Sequence, residues 1–119
     1  MRIEWTAGGQ VLVTCEGHGD ALYAKRITER LQSMGGNLVI FFDGWLLVDY
    51  DSDLRIELTN WLIKNRDRLA ELHAVYQSRL VAVAIEVANV ALGGLIKIHP
   101  SRSTFDQEVA AANLAVAAP

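Results

Sequence analysis

Five apolar residues in succession, Leu38-Val39-Ile40-Phe41-Phe42, restrict this chain more than any other feature. A run this short, with no polar alternation, suits a strand hidden on both faces at the centre of an α/β sheet. Asp43 and Gly44 then predict the end of the strand, at the edge where open α/β sheets commonly place their sites. Trp45 to Val48 is a second short apolar run. Asp49, Asp51 and Asp53 crowd around Tyr50 and Ser52 just before a helix. The expected unit is a buried strand, an acidic loop and a helix N-terminus.

The rest of the chain supplies layers for that strand. Arg2–Thr6 and Gln10–Cys15 read as strands joined through Ala7-Gly8-Gly9, a hairpin signal because Gly supplies the positive φ of tight turns. Gly17-His18-Gly19 predicts a break, and Asp20 caps a helix running to about Met34. In that helix Ala24, Ile27, Leu31 and Met34 share one face, and Gly35-Gly36 predicts a left-handed C-terminal cap. A second helix is expected from about Ser52 to Ala70, with Leu54, Leu58, Trp61, Leu62 and Leu69 as its apolar stripe. Its early acids and late Lys64, Arg66 and Arg68 suit the two ends of its dipole. Leu72–Tyr76 reads as a strand, Arg79–Leu92 as a helix closed by Gly93-Gly94, and Leu95–Ile98 as the last strand. Ser103 or Thr104 caps a final helix, and the tail Ala115–Pro119 is expected to fray. Hairpin, repeated helix–strand units and a closing helix imply one α/β domain over residues 1–119, with a mixed sheet parallel at its centre.

The chain has 119 residues, enough for a core without disulfides or metal. Its net charge of −3, with no basic face, points away from nucleic acid. Cys15 is the lone cysteine, so nothing calls for an oxidising compartment. No apolar run approaches the roughly 20 residues that cross a bilayer. A cytoplasmic protein is expected.

Catalytic patterns are sparse. Asp43, Asp49, Asp51 and Asp53 are hard oxygen donors of the kind Mg²⁺ takes, but Asp51 or Ser52 as helix cap explains the cluster more simply. A phospho-acceptor receiver domain does not fit: no acidic pair follows the first strand, and Lys97 stands apart from Pro100. His18, His73 and His99 are scattered, without metal-ligand spacing, and His18 between glycines reads as a turn residue. Cys15 has no adjacent base and reads as a small buried strand residue. The serines lie in no nucleophile elbow, and no glycine pattern cradles a phosphate or dinucleotide. The expectation is a protein without catalytic residues, metal or cofactor.

The third helix is apolar nearly all round, with Glu86 and Asn89 as its polar residues between Leu80 and Leu92. Such a helix needs cover on more than one side. Sheet and neighbouring helices can supply it, as can a dimer face, a partner site or an apolar ligand pocket. Val83, Val87 and Val90 share one flank; Ala84, Ala88, Ala91 and Leu92 belong to the other, which suits close packing on the sheet.

Taken with the segment Leu38–Leu62, this element order resembles the STAS family, most closely its SpoIIAA-like, Sec-14-related small bacterial proteins, over about residues 2–112. The resemblance implies a non-enzymatic regulatory module acting through a protein partner in bacterial signalling, in the manner of an anti-anti-sigma factor. It places the partner surface at Asp43, Trp45, Asp49, Tyr50, Asp51, Ser52 and Asp53, with Val83, Val87 and Val90 on the third helix available to a partner or a second copy. In anti-anti-sigma factors a serine of an Asp-Ser-Ser-Gly-Leu turn is phosphorylated. Here Tyr50-Asp51-Ser52-Asp53-Leu54 is one residue shorter and lacks Gly, so Ser52 matches one serine while Asp53 stands as a fixed negative charge. Sec-14-related members imply instead a lipid-like apolar ligand.

Overall fold

A parallel strand order needs crossovers, and three amphipathic helices supply them here. The computed structural model describes residues 1–6 and 8–112. Its strands are β1 (Arg2–Trp5), β2 (Gln10–Gly19), β3 (Leu38–Tyr50), β4 (Leu69–Tyr76) and β5 (Ile96–Ile98). Its α-helices are α1 (Ala21–Ser33), α2 (Ser52–Lys64), α3 (Arg79–Ala91) and α4 (Arg102–Ala111). The strands form one mixed sheet in the order β1-β2-β3-β4-β5. β1 and β2 are antiparallel, and the remaining pairs are parallel. The expected α/β architecture, N-terminal hairpin and C-terminal helix are all present.

β3 is central, as its apolar run requires. Leu12, Phe41 and His73 stand abreast on β2, β3 and β4. Ile40 faces a core built with Val13, Ile27, Leu31 and Leu72. Phe41 faces the opposite side, with Val75 and Phe105 of α4. Alternate residues of one strand thus serve two cores.

Several boundaries moved, and the reasons are tertiary. Asp43-Gly44 does not end β3, and Gly17-His18-Gly19 does not end β2. Both strands run on, and Glu16 to Gly19 pair with Leu46 to Tyr50. The extension takes register shifts after Thr14 and Gly17, with Gly17 at φ 72°; bulges absorb the turn-forming residues without stopping the ladder. The acidic segment is therefore mostly strand.

α2 ends at Lys64, a short 3₁₀ turn spans Arg66–Arg68, and Leu69 already belongs to β4. Arg66 donates to the carbonyl of Leu92, and Arg68 to those of Leu31 and Met34. These two arginines satisfy the open carbonyls of α3 and α1 rather than the end of α2. Asp20 accepts from the Leu22 and Tyr23 amides as expected. Met34, in extended conformation, ends α1, and Gly36 takes positive φ further on. β5 starts at Ile96, not Leu95, and Ser101 caps α4 in place of Ser103 or Thr104. Ala115–Pro119 lie outside the described residues.

Candidate functional site

α1, α2 and α3 cover one face of the sheet incompletely. Leu54 is the sole buried residue of α2, and Val81 and Ala88 are those of α3. Leu58, Trp61 and Leu62, the expected stripe of α2, are only half-buried. The space left is a partly open cavity of about 110 Å³. Its floor is the sheet, through Val13, Ile40, Phe42, Leu47, Leu72 and Ile96; its walls include Leu54, Leu58 and Leu62 of α2 and Val81, Ala84 and Ile85 of α3. A dry cavity of about 150 Å³ with comparable lining admits benzene, so this one takes a short alkyl chain or branch. Three lining residues carry polar groups: Tyr50, Arg55 and Thr59. The Tyr50 hydroxyl donates to the Leu80 carbonyl at 3.2 Å. That bond ties the end of β3 to the start of α3.

The acidic segment forms a different arrangement beside this cavity. Extension of β2 brings His18 opposite Asp49. His18 Nδ1 donates to Asp49 Oδ1 at 2.6 Å, and Nε2 donates to Asp51 Oδ1 at 2.9 Å. Two acceptors require two N–H groups, so the ring is the imidazolium. Its pKa is accordingly raised, first by the bond to Asp49 and then by that to Asp51. While both bonds hold, neither ring nitrogen has a lone pair free to accept a proton. Asp51 occupies the N-cap position of α2, yet its side chain makes no cap bond because it holds His18. Ser52 is the exposed first residue of α2 and not its cap, against expectation.

The other expected partner-surface residues are dispersed. Asp43 is buried, accepting from Trp45 N at 3.1 Å and from Arg102 Nη1 at 2.6 Å. The Asp43 bond raises the Arg102 pKa further. Asp43 is thus an internal link between β3 and α4, not a surface acid. Trp45 is half-buried, whereas Asp53 is exposed. Val83, Val87 and Val90 are 52%, 52% and 83% exposed and do not line the cavity. Ala88 and Leu92 pack inward as expected, but Ala91 is exposed.

Two further groups of titratable side chains lie elsewhere. Behind Phe41, His73 and His99 are both buried, with His73 Nδ1 and His99 Nε2 3.0 Å apart. His73 Nε2 donates to Glu71 Oε1 at 3.0 Å. Burial, then the neighbouring His73, pushes the His99 pKa below its ordinary value. A neutral His99 therefore suits this site, with its Nε2–H donating to His73 Nδ1. Cys15 is buried, which pushes its thiol up to about 12 and leaves it protonated and unreactive at neutral pH. No group of three or more metal-ligating side chains occurs among the described residues.

Sequence patterning raised an apolar pocket at the third helix without naming its lining, and it missed the His18 pairing. The cavity-lining residues look like ordinary core positions, and the signal for His18 lies in strand register, which links positions 31 residues apart. No helix among the described residues is long and apolar enough to cross a membrane. The chain matches no protein-family model, no curated protein and no solved structure.

Proposed function

We propose that this chain is a non-enzymatic, cytoplasmic binding module that holds a small apolar molecule between its sheet and helices α2 and α3. The observation that carries the reading is the apolar cavity, which opens where both helices are thinly packed. Each methylene moved into it from water contributes about 0.8 kcal/mol. The sealed lone pairs of His18 and the protonated Cys15 favour binding over catalysis. The resemblance to Sec-14-related STAS proteins points the same way.

The test is calorimetric titration with 1-octanol, set beside a variant in which Ala84→Phe fills the cavity. Saturable binding by the native protein, lost in a variant of unchanged circular dichroism, is the expected result. No binding, or binding unaffected by the filled cavity, refutes the reading.

A second reading rests on Leu80, Val83, Val87 and Val90, four large apolar side chains exposed on α3. Clustered exposure of this kind suits a protein contact. In this reading the module acts in bacterial signalling through a protein partner or a second copy of itself.

A further inference from the structure

We propose that the occupant of the cavity is an amphiphilic carboxylate, its chain among the apolar side chains and its charge met by Arg55 with Thr59. This rests on the binding reading above and goes further by naming the ligand's polar end.

Arg55 is the one charged residue lining the cavity. It stands four residues before Thr59 on α2, so both side chains project from the same helix face. Both are half-buried. The other half-buried arginines each have an evident partner. Arg30 lies over the Trp5 ring, Arg68 donates to backbone carbonyls, and Arg102 pairs with Asp43. Arg26 and Arg79 are exposed. Arg55 makes no ion pair or side-chain hydrogen bond among the described residues, and Thr59 makes no side-chain hydrogen bond either. An arginine that lines an apolar cavity, its guanidinium making no bond to another described residue, can offer a carboxylate at the opening two parallel N–H bonds. The Thr59 hydroxyl can donate a further bond. One fixed positive charge balances one negative charge. The small cavity volume suits a short or medium chain whose head remains at the opening.

Octanoate, 1-octanol and octylammonium share a chain and differ at the head, so they separate the two parts of the proposal. Calorimetry at neutral pH is expected to give octanoate at least tenfold tighter than 1-octanol, with octylammonium weakest. Arg55→Gln is expected to weaken octanoate at least tenfold more than it weakens 1-octanol, so that the preference for octanoate is lost. Arg55→Lys, which keeps charge but loses the fork, is expected to fall between. Equal affinity for octanoate and 1-octanol, or an Arg55→Gln variant that still discriminates, overturns the carboxylate assignment while the apolar cavity reading stands. Failure of all three probes to bind overturns both. Thermal unfolding of each variant confirms that the fold survives.

Discussion

His18 shows how one side chain changes meaning once its neighbours in space are known. Between two glycines it reads as a turn residue; beside Asp49 and Asp51 it becomes a cation joining β2 to β3 and to the start of α2. Its pKa is raised from 6.5. The clasp therefore stabilises the native state fully below that value, and its contribution is lost as pH rises through the folded pKa. Proton NMR titration of the His18 ring is expected to give a value above 6.5, and Asp49→Asn to lower it. An unshifted titration would mean that the carboxylates do not hold the ring. His99 behaves oppositely: its lowered pKa makes its contribution present above 6.5 and lost as pH falls through the folded value. Phe41, 2% exposed, stacks on His73 with ring centroids 4.6 Å apart and meets the edge of Phe105. Phe41→Ala is expected to cost about 3–5 kcal/mol in urea unfolding. A cost below about 1 kcal/mol would show that the second core does not depend on this ring.

At the scale of elements, the helix starts separate caps by their bonds rather than by residue type. Asp20 and Asp51 are both acids at N-cap positions, but only Asp20 accepts helix amides. Asp20→Ala is expected to cost about 1 kcal/mol. Ser52→Ala, removing a hydroxyl without a cap bond, is expected to change stability by less than about 0.5 kcal/mol. Paired unfolding curves check both, and a larger loss at Ser52 would give its hydroxyl the capping role. Residues 45–50 of β3 lie beyond its pairing with β4, which ends at Gly44 opposite Tyr76. There Ser78 donates its hydroxyl to the Val48 carbonyl, and Tyr50 donates to Leu80. The start of α3 thus covers an edge that would otherwise offer unpaired backbone groups.

For the molecule as a whole, α3 presents two unlike surfaces. Val81 and Ala88 bury against the sheet, while Val83, Val87 and Val90 lie exposed. Val87→Glu is expected to leave circular dichroism and 1-octanol binding unchanged, because the side chain touches neither core nor cavity. Under the second reading, light scattering finds the native protein as a dimer and this variant as a monomer. Equal masses for the two would remove self-association through the flank. What the sequence determined by itself were features set by local periodicity: the central strand from five apolar residues, three crossover helices, the glycine stops after α3 and the mixed α/β order. Phe41 at the centre follows from the same periodicities, as does the grouping of the three valines on one flank. Tertiary structure alone decided where β2 and β3 end, because a parallel partner and a glycine bulge can outweigh the turn preference of Asp43-Gly44 and Gly17-His18-Gly19. It also decided that Asp43 lies inside with Arg102, that Asp51 serves His18 and not its helix, and that apolar residues from seven elements leave a cavity. Each of these depends on distances between remote positions, and no repeat along the chain encodes such distances.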